Sequence, residues 1–246
     1  MNSDAERDLN QNLDLVKSLL MVSLIICFIP IARTLYLDQF KELLLYLTHK
    51  DWSLVKKVCK EHGLYLFLIW NLILAWVPLV LSTLLVSSKK FQETKNLAKY
   101  LPYLLWLIFY PNAPYVFTDF LHYAWHPTEG LLLWFDISML FLFSLLGFLC
   151  AYVSLRQICS LLPKSLQKAF PYFILFLSSY GIYLGRFIRL NSWDLATNLP
   201  KVIITVLQSF TEAFTYQFTF LVFIFIALVY FLLDIFSQST LIEMDK

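Results

Sequence analysis

The sequence predicts an all-α, polytopic transmembrane helical bundle, and three observations carry that expectation. Hydrophobic residues make up 59% of the 246-residue chain and charged residues only 15%. With a mean hydropathy of +0.67, the chain is too apolar for a soluble domain of this length. Second, apolar runs near the ~20 residues that a membrane helix needs recur between short charged segments. Third, one of these runs is broken by Pro111 and Pro114, and Asn112, Asp119 and His122 stand in and just after the break. About six spans are expected, with the third broken and with amphipathic helices at the membrane interface.

Taken in order, residues 1–14 form an acidic amino end, with Asp4, Glu6, Asp8 and Asp14 against Arg7. A basic start and a small-residue cleavage site are both missing, so the run from about Leu15 to Leu37 reads as a retained first helix, with Pro30 and Arg33 near its outer end. Residues 38–62 mix Lys and Asp/Glu with leucine and valine at roughly helical spacing, which fits an amphipathic surface segment or a small solvated loop. The second span runs from about Gly63 to Val86. Its Asn71 lies in hydrocarbon, where an amide serves most often as packing glue between helices. Span three starts near Tyr100 and runs into the Pro111–Pro114 break, where carbonyls near Leu107 and Tyr110 lose their helical donors. Span four covers about Leu131–Val153 and span five about Ala169–Phe187. The long run 202–236 splits into an interfacial piece to about Phe210 and a sixth span from Ala213 to Phe236. Residues 15–246 thus read as one transmembrane domain.

The short loops orient the chain. Loops 87–99 and 156–168 carry seven Lys/Arg, whereas 118–130 carries none. The basic loops belong on the cytoplasmic side, which places both termini inside and the Pro111–His122 stretch outside. Simple alternation also brings Asp136, at the start of span four, and Arg186 to Asp194, at the end of span five, to that same membrane face.

Several function classes fall away. A net charge of +2 with no basic stripe gives nucleic acid no footing. Cys27, Cys59, Cys150 and Cys159 show no CxxC spacing, which argues against a disulfide framework or a zinc site. Nucleotide-binding glycine loops and the HExxH and GxSxG signatures are missing as well. No cofactor is indicated.

The candidate residues have two readings each. Asp119 and His122, three apart, share a helical face and suit acid/base work, with Asp136 as a further carboxylate. Alternatively, Asp119 favours a helix amino end and His122 sits among headgroups. Two ligands on a short loop are weak evidence for metal, and none is assigned. Arg186 and Arg189, also three apart, suit phosphate or carboxylate oxygens; the alternative is an internal salt bridge to Asp119, Asp136 or Asp194. Asn112 and Tyr115 in the break, and Asn191 and Asp194 after the arginines, complete the binding candidates. Asn191 also reads as a helix cap, with Asp194 in the first turn. Gly181 and Gly185 form a Gly-x-x-x-Gly pair that lets another helix come close.

Trp70-Asn71 with Leu74–Pro78, the Pro111–His122 stretch with Trp134-Phe135-Asp136, and Gly181–Asp194 together resemble one family. It is the uncharacterised bacterial integral-membrane family known as domain of unknown function 1361, and the resemblance covers roughly residues 63–235. It implies residence in a bacterial cell membrane and carries no reaction. Two functions stay open: a polar extracytoplasmic site that binds or processes an anionic, lipid-linked molecule, or a non-enzymatic transporter or assembly partner whose charges form a structural lattice. In both, the bilayer is the constant partner.

Overall fold

The computed structural model describes residues 3–36, 65, 67–88, 97–125 and 128–244. The amphipathic segment expected at 38–62 lies outside the described residues. Every regular element among those described is helical.

Helix α1 (Ser3–Tyr36) begins well before the expected start at Leu15. Carboxylates near a helix amino end are favourable against its dipole, so the acidic end extends the helix rather than ending it. Lys17 closes on Asp14 at 2.8 Å one turn away. Within α1, Asn12–Arg33 is long and apolar enough to cross a membrane. So are α2 (Phe67–Ser87), α6 (Gly130–Ser160) and residues Ala213–Gln238 of α10 (Ala213–Met244).

In the other two expected spans no single α-helix is as long as a crossing. The third consists of α3 (Leu101–Phe109), a one-turn α4 (Asn112–Tyr115), a 3₁₀ turn (Val116–Asp119) and α5 (Phe120–Trp125). The prolines divide it as their missing donors require. The fifth is α7 (Phe170–Tyr183), continued by a π-helical turn, Leu184–Ile188. Two short helices follow, α8 (Asp194–Thr197) and α9 (Leu199–Ser209). The latter, at ~1.5 Å per residue, is too short to cross. It stands where the sequence places an interfacial piece.

The chain divides into two compact units, one of residues 1–73 and 116–147, the other of residues 74–115 and 148–246. In the second unit, helix contacts follow rows of aromatic rings. Phe148 meets Phe225 and Tyr152 meets Tyr230, so the end of α6 runs parallel with α10. Tyr172 meets Tyr230, Phe176 meets Phe223 and Tyr183 meets Phe218, so α7 runs antiparallel to α10. Buried hydroxyl and amide groups bind the rest. Ser82 donates to Gln157 at 2.6 Å, Trp106 to Ser154 at 2.7 Å, and Ser154 to the Pro78 carbonyl at 3.0 Å. Such interhelical bonds take the place that apolar burial holds in water.

Candidate functional site

The proline break is built into the second unit by small residues and by side chains that replace lost helical bonds. The Tyr110 carbonyl accepts the Ala113 N–H at 3.1 Å, and the Pro111 carbonyl accepts that of Tyr115 at 3.0 Å. Asn112 donates its amide to the Phe109 carbonyl at 2.9 Å and to Ser192 Oγ at 3.0 Å. Ser192 in turn donates to the Ile108 carbonyl at 3.2 Å. Asn112 therefore satisfies the break as its position between two prolines suggests, although the side chains reach the carbonyls of Ile108 and Phe109. Ser192 was not singled out in the sequence. Its neighbours Asn191 and Asp194 drew the attention because they look like a capping pair.

The helix that approaches the Gly181–Gly185 pair is this same break. A Cβ on Gly181 would stand 2.7 Å from Pro111 Cγ, and one on Gly185 would stand 3.3 Å from the Tyr115 ring. Over the same Tyr115 ring lies the Arg186 guanidinium, 4.4 Å from its centroid, a cation–π contact. Tyr115 thus sits between a glycine and an arginine of one π-helical turn. A π-helical turn places an extra residue in the helix, a feature frequent at functional positions.

At the end of that turn the chain reverses through Arg189, whose φ of 62° makes it the one left-handed residue other than glycine among those described. The Leu184 carbonyl accepts both the Arg189 and Leu190 N–H groups. The Arg189 side chain is exposed and makes no hydrogen bond or ion pair among the described residues. Asn191 does not cap the next helix: its N–H donates to the Asp194 carboxylate at 2.7 Å, while α8 starts at Asp194 with no side-chain cap. The carboxylate reaches back to the donor three residues earlier, as the acidic half of a capping box does.

In the first unit the two candidate carboxylates are fully buried. Asp119 accepts the Asn71 amide at 2.7 Å, which gives Asn71 the interhelical role expected of it. Asp136 is held by Arg33 of α1 through both oxygens: Nε faces Oδ1, and Nη2 lies 2.9 Å from Oδ2. Thr128 adds its hydroxyl to Oδ2 at 2.9 Å. The Arg33 guanidinium also covers the Tyr65 ring at 4.6 Å. Sequence reasoning looked for the partner of Asp136 at Arg186 and Arg189 and treated Arg33 as a flanking charge. The signal in the sequence is an arginine at the end of an apolar, membrane-length run, a place where it needs a carboxylate; the structure leaves it only 3% exposed. His122 lies on α5, with its side chain outside the described atoms.

The class defined by fold and site is an α-helical membrane protein with a buried Arg33–Asp136 ion pair and an exposed arginine at the end of a π-helical turn. Residues 70–231, well over half of the chain, match the family described as "Protein of unknown function (DUF1361)", and the chain belongs to that family. No curated protein and no solved structure matches it. Among the described residues, no group of three His, Cys, Asp or Glu side chains stands ready for a metal ion.

Proposed function

We propose that this is a multi-pass protein of the bacterial cell membrane, with both termini cytoplasmic. At its extracytoplasmic face it binds an anionic lipid or lipid-linked molecule, and the arginine-bearing turn Arg186–Asp194 is the recognition element. The observation that carries this reading is Arg189. An arginine in a left-handed conformation costs about 1–2 kcal/mol of backbone strain that glycine would avoid, yet its guanidinium is exposed and makes no bond to the described protein. The planar guanidinium fork suits two oxygens of a phosphate at once. Arg186, stacked on Tyr115, lies in the same turn, and the exposed Phe187 and Trp193 beside it suit the zone where chains meet headgroups. Asn112 and Tyr115 hold the turn from below, and Asn191 and Asp194 shape its exit.

In this reading Asp136 is a scaffold group neutralised by Arg33, and Asp119 with His122 is the remaining acid/base pair of the first unit. A second reading is favoured by the Arg33–Asp136 pair itself: a transporter or assembly partner in which the buried charges form a structural lattice. The two separate in one experiment. The delipidated protein, in neutral detergent, is titrated with phosphatidylglycerol or phosphatidylcholine while its melting temperature is followed. Binding at the turn raises the melting temperature with phosphatidylglycerol selectively, and Arg189→Gln removes that selectivity. A lattice protein responds equally to both lipids, with or without Arg189.

A further inference from the structure

Arg33 does more than neutralise a carboxylate. Helix α1 is buried along one narrow stripe, Leu19, Ser23, Ile26, Pro30 and Arg33, spaced by fours and threes like a coiled-coil seam. Met21, Leu24, Ile25 and Phe28 on its other faces are more than half exposed. The last member of the seam delivers a guanidinium to groups that also have contacts outside α1. Asp136 comes from α6 and is fixed by the Thr128 hydroxyl. The Thr128 carbonyl in turn accepts the Tyr123 hydroxyl at 3.2 Å. Tyr65 presents its ring face and is 2% exposed. Its hydroxyl is buried and has no hydrogen-bond partner among the described residues. A carboxylate steadied by a hydroxyl, together with an aromatic face, is what a guanidinium or ammonium group is recognised by, and both meet the Arg33 guanidinium here. Asp136 and Thr128 belong to the family-matched segment, whereas Tyr65 and Arg33 lie outside it.

We infer that Asp136, Thr128 and Tyr65 form a preformed cation cage for a guanidinium or primary ammonium group, and that α1 is a plug that fills this cage with Arg33. This goes beyond anion binding at the Arg189 turn and does not depend on it. When Arg33 is withdrawn, the cage takes an external cation of the same chemistry.

The test uses the full chain in detergent. Arg33→Ala should melt below wild type, and low-millimolar guanidinium chloride should restore most of that loss in a saturable way, while sodium chloride at the same concentration does not. The wild type, its cage already filled, should not respond, and neither should Arg33→Ala/Asp136→Asn, which has lost the counter-charge. A guanidinium effect on Arg33→Ala no larger than that of sodium would overturn the proposal. If Arg33→Ala does not fold, the double variant decides. Its folding shows that the empty cage fails because its carboxylate lacks a cation, and its failure to fold refutes the cage.

Discussion

Gly181→Ala is the smallest change that tests how the proline break is seated. The added Cβ would stand 2.7 Å from Pro111 Cγ and 3.0 Å from Pro111 Cβ. Carbon atoms at rest keep ~3.5 Å, so the ring must retreat by roughly 0.8 Å. Pro111 cannot swing aside, because its ring is tied to its own backbone and is flanked by Tyr110, Ala113 and Pro114, all buried. The retreat would move the whole turn, including the Asn112 bonds to Phe109 and Ser192. Overpacking of this kind costs about 1–3 kcal/mol, and removing a glycine from a helix returns about 0.5–1 kcal/mol. Mid-range values leave a net loss of roughly 1 kcal/mol, or ~2–4 °C in melting temperature for a chain of this size. Gly185→Ala is the internal comparison. Its Cβ meets the edge of the Tyr115 ring at 3.3 Å and the Leu190 carbonyl at an ordinary 3.8 Å, and a ring edge yields more readily, so the variant should stay within about 0.5 kcal/mol of wild type. Thermal unfolding of both variants in one detergent reads the difference. Gly181→Ala melting at or above wild type, or level with Gly185→Ala, would show that Pro111 is not seated on the glycine.

Asn112→Ala should lower stability by ~1–3 kcal/mol, because the Phe109 carbonyl and Ser192 lose a donor in a buried turn; an unchanged melting temperature would remove Asn112 from the scaffold. Arg189→Gly should raise stability by about 0.5–1 kcal/mol through relief of the left-handed backbone while weakening retention of anionic lipid, a trade-off that paired melting and lipid-binding measurements will expose. For orientation, Glu129→Cys should react with a membrane-impermeant thiol reagent in intact cells and Leu162→Cys should not; the reverse pattern would invert the topology.

Much of this architecture is legible in the sequence because hydrocarbon imposes simple demands. Apolar length fixes the starts of α2, α6 and α10 to within four residues, although α6 and α10 run seven and eight residues past their expected ends, and the two prolines mark where a helix must break. Gly181 and Gly185 stand out because glycine is scarce in this chain. What pairing alone cannot reveal is the choice among arginines. Asp136 has three arginines near helix ends from which to draw a partner, and only the packing of α1 selects Arg33. Span count was less legible, since α3 and α7 are apolar but stop at 9 and 14 residues. Arg189's conformation was hidden too, because a left-handed turn at an arginine has no sequence mark of the kind that glycine gives. Asn191 misled because the local pattern of a capping box is satisfied here in its acidic half only.

The most direct measurement of the central claim is native mass spectrometry of the protein released from gentle detergent, wild type beside Arg189→Gln. Binding at the Arg186–Asp194 turn predicts that wild type retains a phosphate-bearing lipid adduct and that Arg189→Gln loses it, while the two proteins melt alike once delipidated. Equal adducts on both proteins, or none on either, would contradict the assignment of this turn as the recognition element.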